Sequence, residues 1–114
     1  MALCQPWVAR ALVVTLICGM LLGSVVCAAD EAGQKVYQRD CQSCHGRDGA
    51  GNPQLEKTLK VTIPPVTAAA LAQKNDPEML HIIVEGKGKM PGFAKKLSAE
   101  EQQQVLNYMK TLGR

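Results

Sequence analysis

Aromatic side chains are scarce in this chain: one Trp, two Tyr and one Phe in 114 residues. So few large rings leave a small domain short of core filling. Histidine is scarcer still, with only His45 and His81, which excludes a site built on three imidazoles. Neither sign of charge dominates, since 13 Lys and Arg face 10 Asp and Glu. No concentrated basic stripe of the kind that grips nucleic acid is present. Nor does any segment of length alternate apolar and polar residues, which excludes a half-buried sheet. Without an internal repeat, a low-complexity tract or a linker, what remains is one small all-α domain.

One long apolar run does occur, at the N-terminus. Arg10 is the only charged residue before Asp30, and the apolar stretch Ala11 to Val26 follows it. Cys27-Ala28-Ala29 then offers small residues where a signal peptidase cuts. This is the layout of an export signal over residues 1–29, with the domain at 30–114. The alternative is an uncleaved anchor, since the run is nearly long enough to span a bilayer. Cleavage would remove Trp7 along with Cys4, Cys18 and Cys27, leaving only Cys41 and Cys44 of five cysteines. It would also leave 12 basic side chains, of the original 13, against 10 acidic ones. Two cysteines exclude a multi-bridge disulfide framework.

Those two cysteines stand in the run Cys41-Gln42-Ser43-Cys44-His45. In an exported chain, C-x-x-C-H reads as a site of covalent c-type haem attachment. The thiols add to the haem vinyl groups, and His45 becomes the proximal iron ligand. On a helix, positions 41, 44 and 45 share one face and reach the same porphyrin. A buried haem also supplies the bulk that the aromatics do not. A zinc site is a poor rival, because it favours four well-spread ligands. A thiol oxidoreductase is another, but the βαβ pattern expected around its C-x-x-C is missing.

Helical periodicity fills most of the domain. Asp30 to Cys41 reads as a first helix, followed by turn residues from Gly46 to Gln54. Leu55 and Leu59 mark a short amphipathic piece. Ile63-Pro64-Pro65-Val66 is extended, because proline disfavours helix at the residue before it. Thr67 caps a short helix through Leu71. Asp76, with Pro77 at the first helical position, opens a helix that runs to Glu85 and stops at Gly86. Ser98-Ala99-Glu100-Glu101 is a capping box for the last helix. Its apolar face is Val105, Tyr108, Met109 and Leu112.

The sixth iron position has four candidates: Met79, Met90, Met109 and His81. Met109 lies on a core face, Met79 adjoins one, and His81 lies off its helix stripe, one turn before Glu85. Met90 sits in Gly86-Lys87-Gly88-Lys89-Met90-Pro91-Gly92-Phe93, a loop with no periodicity to explain it. Glycines let this loop curve and Pro91 stiffens it. Met90 is therefore the expected second ligand, opposite His45.

Taken together, these residues resemble the class I cytochromes c of the short bacterial kind. The likeness covers the whole region after residue 29. It rests on Gly33 and Tyr37, Cys41 to His45, the Gly-Lys-Met-Pro-Gly-Phe loop, and Val105 and Tyr108. The resemblance implies four to five short helices around one haem c, with the first and last helices crossing at Gly33. It also implies that a proline carbonyl, from Pro53, Pro64 or Pro65, accepts the axial histidine's Nδ1–H. His/Met ligation leaves no open position, which suits a periplasmic one-electron carrier rather than an enzyme. The alternative is a haem sensor or peroxidase-like enzyme in which the methionine is displaced. Lys87, Lys89, Lys95 and Lys96 flank Met90 and would steer an acidic redox partner to the haem edge. Membrane contact is expected only if the N-terminal segment is retained.

Overall fold

A computed structural model describes residues 24–113, and the expected export signal lies largely outside them. Among the described residues six helices follow one another, with no β-strand. They are α1 (Ser24–Asp40), α2 (Gln42–His45), α3 (Pro53–Leu59), α4 (Ala68–Leu71), α5 (Asp76–Glu85) and α6 (Ala99–Met109). The all-α expectation holds, with one helix more than expected. The addition is α2, a single turn set apart from α1 by a break at Cys41.

Several boundaries differ for local reasons. Helix α1 starts before Asp30, since Ser24 to Ala29 contains neither Gly nor Pro to interrupt it. Helix α3 starts at Pro53, inside the expected turn, because the Asn52 side chain accepts the Leu55 N–H at 3.2 Å and caps it. The cap of α5 is Asn75, not Asp76: Asn75 accepts the Glu78 N–H at 2.8 Å. At α6 the capping box is present as read. Ser98 accepts the Glu101 N–H at 3.1 Å, and Glu101 accepts the Ser98 N–H at 2.9 Å.

Helices α1 and α6 make the principal contact, and α5 packs on α6. Their crossing is centred on Gly33. A Cβ there would run into the Gln104 carbonyl and lie 2.9 Å from the Tyr108 Cβ. Just beyond, the rings of Tyr37 and Tyr108 meet at 5.5 Å and 55°, a tilted packing that suits two ring quadrupoles. Tyr37, Val105 and Leu106 are fully buried at this junction.

A second fastening joins the end of α1 to the segment before α6. The Asp40 side chain is wholly shielded from solvent. The Lys96 ammonium meets its Oδ1, and Arg39 Nε donates to its Oδ2 at 2.8 Å. Burial alone would raise the Asp40 pKa. Hydrogen bonds from Lys96 and then Arg39 outweigh burial and hold it below the usual carboxylate value.

Two predictions follow from these fastenings. Gly33→Ala forces backbone apart at the crossing and should cost about 1–3 kcal/mol in denaturant unfolding. Gly88→Ala, with nothing within 4 Å and only its φ of 60° against it, should cost about 1 kcal/mol. The second prediction concerns acid. A depressed folded pKa gives stability that is complete above the unfolded value and lost as pH falls through the folded one. Wild type should therefore lose stability from about pH 5 downward. Asp40→Asn should flatten that slope in unfolding midpoints measured across the acid range.

Candidate functional site

Cys41 follows the last residue of α1, and its amide still donates to the Tyr37 carbonyl at 2.9 Å. Its own carbonyl accepts from Cys44 N at 3.2 Å and His45 N at 3.0 Å, which winds the motif into one turn. Cys44 and His45 thus lie on one short helix, with Cys41 at its N-cap. Cys41 and His45 are buried, Cys44 is half-buried, and both thiols are free. Burial, with the nearby Asp40 and Cys44 charges adding to it, pushes the Cys41 thiol up to about 11.

Above the motif, the Tyr37 hydroxyl donates to the Gly46 carbonyl at 2.7 Å. This bond ties the end of α2 back to the α1–α6 crossing. Burial raises the Tyr37 pKa far out of reach of neutral pH, so the phenol stays a donor. Gly46 has φ 78°, and a Cβ there would lie 2.6 Å from the Gly51 carbonyl oxygen. Only glycine allows the chain to fold under the motif at this point.

His45 is the one buried side chain of its kind, and its Nδ1 has no partner at normal hydrogen-bond geometry. Burial lowers the imidazole pKa, and the backbone of Pro64 acts against that lowering. A proline offers only its carbonyl. Of the three prolines considered, the structure therefore brings Pro64 to the ring. A buried imidazole whose Nδ1 has no partner, two free thiols on the same turn and the thioether of Met90 make a donor set that fits a c-type haem.

Met90 is half-buried and packs against the core cluster. Its loop is closed by reciprocal bonds of 3.0 Å between Lys87 and Met90. It docks on the end of α5 through Phe93 N to Ile83 O, at 2.9 Å, and Ala94 N to Val84 O, at 3.1 Å. Glycine is required on both flanks. A Cβ at Gly86 would lie 2.5 Å from the Met90 carbonyl oxygen, and one at Gly92 would lie 2.5 Å from that of Val84. The other candidates fall elsewhere. Met109 is in the α1–α6 core, Met79 is half-buried on α5, and His81 is exposed.

Lys87, Lys89, Lys95 and Lys96 are all exposed, and Lys96 in addition pairs with Asp40 and lies over the Phe93 ring at 5.9 Å. The residues that sequence reasoning missed are Asp40, Asn52 and Glu56. The Asn-Pro pair at 52–53 is a helix-start signal that was legible. Nothing local announces that Glu56 reaches Ile63 N, at 2.6 Å, seven residues on.

Residues 28–109 match the family described as cytochrome c oxidase, cbb3-type, subunit III. The chloroplastic cytochrome c6 of Chlamydomonas reinhardtii is 36% identical over 88 residues, covering 72% of this chain and 54% of that protein. Cytochrome c6 of Leptolyngbya boryana is 32% identical over 78 residues, covering 68% and 86%. The cytochrome c subunit of the quinone alcohol dehydrogenase of Gluconobacter oxydans is 30% identical over 91 residues, covering 69% and 18%. The chain thus spans about half the length of the first relative and about a fifth of the last. Among solved structures, cytochrome c6 of the diatom Phaeodactylum tricornutum superposes with a TM-score of 0.55 at 25% identity, covering 71% of this chain and 90% of that one. A family match across most of the described helices, joined to this fold, makes the chain a member of the class I monohaem cytochromes c, whose cofactor is one covalently bound haem c.

Proposed function

We propose that the chain is an exported one-electron carrier, with its haem held by Cys41 and Cys44 and ligated by His45 and Met90. The observation that carries this reading is the buried His45 imidazole, in the same turn as both thiols and with the Pro64 backbone close enough to bear on its protonation; in this reading the Pro64 carbonyl takes Nδ1–H. That leaves Nε2 for the iron. When bound, the haem supplies a one-electron ferric/ferrous couple.

Each protein group then has a definite task. Cys41 and Cys44 would hold the haem covalently at the start of α2, and His45 would ligate its iron. Met90 would supply a second ligand, a soft thioether that favours the reduced state. Half-buried apolar residues, among them Val66, Met79 and Leu80, pack against the core and keep the surroundings of low polarity. Such surroundings penalise the extra charge of the oxidised state. With His45 and Met90 both committed to the iron, no position on it would be left for a substrate. His81, the one remaining histidine, is exposed on α5, which gives no support to a peroxidase-like distal group.

Lys87, Lys89 and Lys95 surround the Met90 loop and form a basic rim for an acidic redox partner. Arg10, the apolar run to Val26 and the small residues at 28 and 29 support export to the periplasm, as does the start of the family match at residue 28. No helix among the described residues is long and apolar enough to cross a membrane. Membrane contact would then require residues 1–29 to be kept.

The test is carbon monoxide binding to the reduced, haem-loaded protein at neutral pH. Wild type should not react on the stopped-flow timescale, and Met90→Ala should bind rapidly. Rapid binding by wild type would favour a sensor or a peroxidase-like enzyme instead.

A further inference from the structure

Pro64 and Pro65 have no backbone N–H, so neither can anchor itself by donating a hydrogen bond. The segment is held by the residues on either side. Val66 N–H donates to the Gly49 carbonyl at 2.8 Å, and Ile63 N–H donates to Glu56 Oε1 at 2.6 Å. Glu56 lies on α3, which Lys60 closes with a left-handed φ of 53° so that the chain doubles back. The Glu56 carbonyl also accepts Val61 N–H at 3.1 Å.

The start of α3 is tied to the haem motif itself. Asn52 Nδ2 donates to the carbonyl of Ser43, between the two cysteines, at 2.9 Å, while Asn52 Oδ1 caps α3. Inside this path, Gly51 N–H donates to the His45 carbonyl at 2.8 Å. A Cβ on Gly51 would lie 3.3 Å from the Ile63 carbonyl oxygen. The path is therefore a closed ring. It runs from the motif to Asn52, along α3 to Glu56, across to Ile63, through Pro64 to Val66, and back by Gly49 to the turn that follows His45.

We propose that Asn52 and Glu56 are positioning residues for the proximal histidine: through Ile63 they hold the Pro64 carbonyl against His45 Nδ1. This rests on the reading of His45 as an iron ligand. The carbonyl fixes the ring plane and increases the donor strength of the imidazole, as second-layer acceptors do for ligating histidines. A stronger imidazole donor stabilises the oxidised state and lowers the reduction potential.

The experiment measures solvent exchange of the His45 Nδ1 proton by nitrogen-edited NMR on the reduced holoprotein, together with the midpoint potential. Glu56→Ala should speed exchange about tenfold, the loss of one hydrogen bond to a charged group, and raise the potential. Glu56→Gln keeps an oxygen for Ile63 N–H and should return both readings close to wild type, although it also lacks the charge. Asn52→Asp keeps the α3 cap, loses only the bond to Ser43, and should also speed exchange. Unchanged exchange in both Glu56→Ala and Asn52→Asp would overturn the proposal, as would equal effects of Glu56→Ala and Glu56→Gln. If wild-type His45 shows no resonance displaced by a bound haem, the ligand assignment fails and the proposal with it.

Discussion

At Gly33 the backbone of α1 lies so close to that of α6 that a single Cβ would collide with the Gln104 carbonyl. The functional turn depends on that approach. It brings Tyr37 against Tyr108, buries both Val105 and Leu106, and points the Tyr37 hydroxyl at the Gly46 carbonyl. Since Cys41 follows α1 directly, the orientation of Cys41, Cys44 and His45 is inherited from the crossing. A domain with so few aromatic residues gains from placing two of its rings at this one junction.

The Met90 side is held by different means. No long helix carries the loop; two glycines, a reciprocal turn and two hydrogen bonds to the end of α5 define it. Its far end is fastened by Asp40, a shielded carboxylate that remains ionised because Lys96 and Arg39 meet it. Lys96 and Arg39 are themselves more than half exposed, so solvent screens the pair and the tie between the loop and α1 is a modest one.

Much of this was legible in the sequence because the signals are local. The Cys41 to His45 run and the Ser98 capping box are each decided within a turn or two, whereas the meeting of Gly33 and Tyr37 with Tyr108 was implied by the family resemblance. Leu106 was missed because a one-sided stripe was assumed, whereas α6 is covered by both α1 and α5. The pairing of Asp40 with Lys96, which the sequence placed in the basic rim, depends on a contact across 56 positions of chain. The sequence favours the Pro64-Pro65 turn over Pro53 beside His45, but the bonds from Glu56 to Ile63 and from Asn52 to Ser43 span too much chain to be read locally.

The measurement that tests the central claim most directly is the absorption spectrum of the oxidised, haem-loaded protein and its axial variants. Wild type should show the long-wavelength band of a methionine thioether on ferric haem. Met79→Ala and His81→Ala should keep that band, and Met90→Ala should lose it. A band that survives Met90→Ala, or disappears in Met79→Ala, would contradict the account.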